Sequence, residues 1–104
     1  MQKSKVFTGG SFDLFHYGHV NFLRQCSKLG EVIVGLNTDR FILEHKKHQP
    51  ILFFSERKRV LEGCKYVSKV IKMPDSDKEA LLKIKPNYWI IGSDWKGRYL
   101  QQTD

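Results

Sequence analysis

Glu31-Val32-Ile33-Val34-Gly35-Leu36-Asn37 is a nearly continuous apolar run, rich in β-branched residues. A strand with one wet face alternates apolar and polar side chains; this run does not, so it reads as a strand covered on both faces. Upstream, Val20, Phe22, Leu23, Cys26 and Leu29 recur at three- and four-residue steps, which predicts a helix over residues 17–29 with Gly30 as its C-terminal cap. Before it, Lys5-Val6-Phe7-Thr8 reads as a short strand ended by a Gly9-Gly10 break. Downstream, the polar residues 39–54 read as a short helix and a loop. Ser55 is placed to cap a helix carrying Val60, Leu61 and Cys64, and a third strand follows at about residues 66–72. Beyond Met73-Pro74, Ser76-Asp77-Lys78-Glu79 fits a capping box opening a helix through Ile84, which Lys85-Pro86 ends. Tyr88-Trp89-Ile90-Ile91, running into Gly92, is a fourth strand. Strands alternating with helices specify an α/β fold, a doubly wound parallel sheet, here as a single domain over residues 1–104.

Composition agrees. With 40% apolar and 12% aromatic residues the chain is globular rather than disordered, and 104 residues bury enough surface for a core without staples. Cys26 and Cys64 stand far apart with no Cys-x-x-Cys spacing, which argues against a zinc ribbon or a disulfide framework and for two buried thiols. No apolar run approaches the ~20 residues of a membrane span, and no apolar leader opens the chain, so a cytoplasmic protein without a membrane span is expected. Lys and Arg number 18 against 11 Asp and Glu, a formal charge of +7, which implies a polyanionic partner. The interleaved basic and aromatic strand motifs of RNA-binding sheets are missing, so nucleic acid is not the expected one.

In open parallel sheets ligands bind beyond the carboxyl ends of the strands, where strand order reverses. That directs attention to residues 9–19, 37–47 and 92–98. In the first of these turns His16 and His19 share one side of a first helical turn, where backbone N–H groups and the helix dipole favour anions. Gly18, without a Cβ, lets a phosphate chain approach between the imidazoles. A metal reading of the two histidines finds only Asp13 as a further ligand. Gly9, Gly10 and Gly18 do not form the dinucleotide fingerprint, which argues against a dehydrogenase reading of Asp39.

Ser11-Phe12-Asp13-Leu14-Phe15-His16-Tyr17-Gly18-His19, placed after a strand, resembles the H-x-G-H nucleotidyltransferases, in particular their cytidylyltransferase branch and within it the glycerol-3-phosphate enzymes. Asn37-Thr38-Asp39, Ser55-Glu56-Arg57-Lys58 and Ile91-Gly92-Ser93-Asp94-Trp95-Lys96-Gly97-Arg98 agree with it. The resemblance implies attack by a phosphomonoester oxygen on the α-phosphate of CTP, release of pyrophosphate, and formation of a CDP-alcohol by a homodimer. Mg²⁺ would bridge the triphosphate, with no metal held by protein ligands alone. It makes His16, His19 and Lys47 catalytic and assigns nucleotide binding to Gly9, Gly10, Ser11, Phe12, Asp13, Gly18, Gly92, Asp94 and Trp95. Lys46, Lys47, Arg57 and Lys65 would bind phosphate or acceptor.

Two alternatives stay open: Arg57 pairing only with Glu56, Glu62 or another carboxylate, and one of Lys46 and Lys47 serving as a plain surface charge. Family members continue into a fifth strand and an Arg-Thr-x-Gly-Ile-Ser-Thr motif that this sequence does not contain, while Ser93 and Lys65 stand where Asp and Arg are usual. The expectation is therefore a four-stranded sheet with an open edge and poor turnover, with a noncatalytic nucleotide-binding module as the alternative function.

Overall fold

The computed structural model describes residues 4–91 and 99–102. Strands β1 (Lys5–Gly10), β2 (Glu31–Leu36), β3 (Lys69–Lys72), β4 (Tyr88–Ile91) and β5 (Tyr99–Gln102) form one sheet in the order β3-β2-β1-β4-β5. β1 runs parallel to both β2 and β4, and β2 parallel to β3, so four strands make a parallel sheet. Helices α1 (Tyr17–Ser27), α2 (Asp39–Lys46), α3 (Phe54–Glu62) and α4 (Asp77–Ile84) fill the connections. The chain winds from β1 to β3 in one direction, and α4 then carries it back across to β4 on the other side of β1. Strand order reverses between β1 and β4, where Thr8 Oγ1 donates to the Ile90 carbonyl at 2.9 Å.

Both faces of the sheet are covered, as the unalternating β2 run requires. Val6, Val32, Val34 and Leu36 pack with Leu23 and Cys26 of α1 and Leu61 of α3 on one face. Phe7 and Ile33 pack with Ala80 of α4 on the other, joined by Leu81, Ile84 and Trp89. Burial pushes the Cys26 thiol up to about 12, so it behaves as a small apolar side chain.

The structure corrects several expectations. β5 pairs antiparallel with β4, Tyr88 opposite Gln102 and Ile91 opposite Tyr99, so the expected open edge beside β4 is occupied by a fifth strand. Gly9 and Gly10 do not break β1; they continue it against Gly35 and Leu36. α1 ends at Ser27, and Gly30 serves not as its cap but at φ +158°, where a Cβ would lie 2.1 Å from the Ser4 carbonyl oxygen. α3 starts with Phe53 at the cap position and no side-chain cap bond, so Ser55 falls inside the first turn. At α4, Ser76 accepts from the Glu79 N–H at 3.1 Å as its sequence suggests.

Candidate active site

The carboxyl ends of β1, β2 and β4 open into a cleft of about 570 Å³ at the strand-order reversal, a size that suits a nucleotide-sized ligand. Its best-defined wall is the start of α1. His16 is the cap residue, and its Nδ1 accepts the Gly18 N–H at 3.0 Å, while His19 Nδ1 accepts the His16 N–H at 3.1 Å. These two bonds are the reciprocal pair of a capping box, with imidazoles standing where Ser and Glu usually stand. An Nδ1 that accepts carries no proton, so each neutral ring bears its proton on Nε2. The helix start thus presents two N–H donors side by side, on rings whose centroids are 4.0 Å apart. Burial first, and the neighbouring His16 second, push the His19 pKa below its ordinary 6.5, which favours this neutral form.

Ser11, Asn37 and the ends of β1 complete the polar floor. Asn37 donates through Nδ2 to Ser11 Oγ at 3.0 Å and through its backbone N–H to the Gly10 carbonyl at 2.9 Å, joining the first two strand ends. Gly9 and Gly10 line the cleft, and a Cβ at Gly10 would stand 2.9 Å from Phe12 Cε2. Phe41, Phe22, Met73, Trp89 and Asp77 line it as well. Phe22, Met73, Trp89 and Asp77 are the ones that sequence reasoning missed, whereas Asn37 and Phe41 fall in the stretch 37–47 to which it pointed. The signal available for Met73 was position alone, one residue past the carboxyl end of β3.

Asp13 and Arg57 hold the loops around the cleft. Asp13 Oδ2 accepts the Ile51 N–H at 2.7 Å and Oδ1 the Leu52 N–H at 2.9 Å, so its carboxylate, which also lines the cleft, clamps the segment between α2 and α3. Burial alone would raise its pKa, but the Leu52 and Ile51 N–H groups, the Arg57 charge and the Leu14 backbone outweigh that and hold it below the ordinary carboxylate value. Arg57 is fully buried. Its Nε donates to the Leu52 carbonyl, Nη1 to the carbonyls of Ser11 and Asn37, and Nη2 to Asp39 Oδ1 at 2.6 Å. A guanidinium with its donors so committed ties three cleft-side loops together and is withdrawn from any phosphate; its carboxylate partner is Asp39, not a neighbour on its own helix.

Lys46 lines the cleft, whereas Lys47 caps α2 in the left-handed conformation at φ +64° and points no lining atom into it. Lys65 precedes β3 and so sits at the amino end of the sheet, with Nζ 5.2 Å from the Tyr66 ring centroid. A parallel sheet separates its two ends by the length of its strands, so Lys65 does not join this site. Gly18 is buried in the first turn of α1, where its N–H completes the cap. Gly92, Asp94 and Trp95 lie outside the described residues. Among the described residues, no three His, Cys, Asp or Glu side chains gather as a metal-binding group.

Residues 7–99 match the family described as cytidylyltransferase-like. The chain is 39% identical over 98 residues to glycerol-3-phosphate cytidylyltransferase of Bacillus spizizenii, covering 91% of this chain and 75% of that protein. It is 34% identical over 99 residues to the bifunctional protein HldE of Campylobacter fetus subsp. fetus, covering 92% of this chain but 22% of the relative. Among solved structures, the lipopolysaccharide core biosynthesis protein from Thermoplasma volcanium superposes with a TM-score of 0.80 at 27% identity, over 90% of this chain and 78% of the other.

Proposed function

The chain belongs to the cytidylyltransferase-like family, and from that premise we propose that it transfers the cytidylyl group of CTP to a small phosphomonoester of the glycerol 3-phosphate type. A phosphomonoester is largely dianionic at neutral pH, since its second pKa is about 6, so the attacking oxygen needs no general base. That oxygen forms a bond to the α-phosphorus, the bond from the α-phosphorus to the bridging oxygen breaks, and its electron pair leaves with pyrophosphate. No covalent intermediate with the protein is required. The chain's task is to align the two phosphates and to stabilise the more crowded, more highly charged transition state.

The observation that carries this reading is the pair of Nε2–H donors at the α1 start, fixed in direction by the backbone bonds at Nδ1. Lys46, lining the same cleft, supplies a mobile positive charge for the phosphates. Mg²⁺ would arrive with the triphosphate, and the described residues offer no gathered set of three His, Cys, Asp or Glu side chains to hold it by themselves. The ion enters this proposal only as a companion of the triphosphate, and no step is assigned to it.

Pyrophosphate release from CTP, measured against glycerol 3-phosphate and other phosphomonoesters, tests the reading. His19→Ala or His16→Ala should lower kcat by on the order of a hundredfold with a smaller change in KM for CTP. Unchanged kcat in both variants, or no melting shift on adding CTP, would defeat it.

A further inference from the structure

Phe12 stands between β1 and α1 with φ +47°, a left-handed conformation uncommon for any residue but glycine, and it is 8% exposed. Its ring centroid lies 5.3 Å from that of His19 at an interplanar angle of 58°, while Phe15 stacks on His19 at 5.4 Å and 11°. The two phenyl rings are themselves 6.4 Å apart, so the imidazole sits in an aromatic corner. The room for the Phe12 ring exists because residue 10 is glycine, whose Cβ, if present, would meet that ring at 2.9 Å. The single hydrogen bond from the His16 N–H to Nδ1 sets the tautomer only while the imidazole keeps its plane, and one bond does not hold that plane: a ring free to turn breaks the bond and regains both tautomers. Contact on two sides removes the freedom.

We propose that Phe12 is a positioning residue for His19, its strained backbone pressing the ring against the imidazole so that Nε2–H keeps one direction toward the reacting phosphate. The proposal rests on the cytidylyl-transfer reading for its kinetic arm and on geometry alone for its spectroscopic arm. In the full chain with ¹⁵N-labelled histidines, the His19 nitrogens should report a single Nε2–H tautomer. Phe12→Leu, which removes the ring, should give a mixture, and Phe12→Tyr, which keeps it, should not. Kinetically, Phe12→Leu should lower kcat about tenfold while KM for CTP changes less than about twofold. In a His19→Ala background the same change should cost nothing further, because a residue that acts through His19 has nothing left to position.

A single tautomer in Phe12→Leu overturns the proposal, as does an equal kcat loss in the His19→Ala background. A rise in KM with kcat unchanged does so too, by making Phe12 a binding surface. If Phe12→Leu melts near the assay temperature, Phe12→Met is read by the same criteria. Should the chain transfer no cytidylyl group at all, the proposed function fails on its own and the tautomer comparison still decides the role of Phe12.

Discussion

Arg57→Met separates the two roles that sequence and structure give to this residue. The side chain is fully buried and makes four hydrogen bonds, to the carbonyls of Leu52, Ser11 and Asn37 and to the Asp39 carboxylate. Methionine follows the aliphatic stem as far as the Nε position but offers no donor, so three carbonyls at the head of the cleft lose a partner. A buried polar group left unpaired costs about 1 to 3 kcal/mol. Three of them at the low end give about 3 kcal/mol, and water entering beside them keeps the sum from the high end. Asp39 adds little, because its side chain is 37% exposed and water solvates the freed charge. For a domain of this size, about 3 kcal/mol lowers Tm by roughly 12 to 15 °C. Thermal and urea unfolding followed by circular dichroism read the effect, with CTP titrated into the folded variant at low temperature. Arg57→Lys should recover only part of the loss, since one ammonium cannot span acceptors on three loops. A variant with wild-type Tm but weakened nucleotide binding would refute the structural assignment and restore the phosphate-binding one.

Two further expectations follow from the site and from one turn. Because burial and His16 lower the His19 pKa, the neutral ring is favoured in the folded state; the stability this gives is complete above 6.5 and is lost as pH falls through the lower folded value. The acid limb of kcat/KM should therefore have its midpoint below 6.5, and a midpoint above 6.5 would contradict the buried, neutral assignment. Gly30→Ala puts a methyl group 2.1 Å from the Ser4 oxygen that accepts the Glu31 N–H, so it should cost at least about 2 kcal/mol in urea unfolding; wild-type stability would show that the β2 entrance relaxes freely.

The parallel sheet was legible because β2 is buried on both faces and its sequence shows it without alternation. β4 was legible to the residue for the same reason. β5 was not, since Tyr99-Leu100-Gln101-Gln102 has no apolar run, and an edge strand of that kind is recruited by pairing with β4 rather than by its own pattern. The strand character of Gly9-Gly10 was hidden similarly. Glycine pairs read as breaks until a neighbouring strand extends past them, as Gly35-Leu36 does here. Ser55 misled because a capping side chain is a local preference, while the position of α3 is set by the Asp13 clamp on Ile51 and Leu52 and by the burial of Arg57 one turn on.

At the site, the two histidines stood out in sequence, but what they do for the fold did not. Residues that cap helices are recognised as Ser, Thr, Asp or Asn, with Glu or Gln three positions later, and histidine is absent from that pattern. Yet a neutral imidazole has one lone-pair nitrogen, which is all a cap requires. Once His16 and His19 spend Nδ1 on the backbone, the position of the proton on Nε2 is no longer a free choice of the solvent. The bonds that start the helix also set the tautomer, and the tautomer sets which atoms can donate to phosphate. An alanine at either position consequently removes a cap worth about 0.5 to 2 kcal/mol along with a donor, and a fall in kcat means loss of transition-state stabilisation only where Tm shows the helix start still formed. Phe12 enters the same chain of dependence from the other side, through Gly10. The aspartate that sequence reading gave to the nucleotide and the arginine it gave to phosphate tie together the loops behind the imidazoles, which leaves His16 and His19, with Lys46 in the same cleft, as the groups proposed to meet the phosphates.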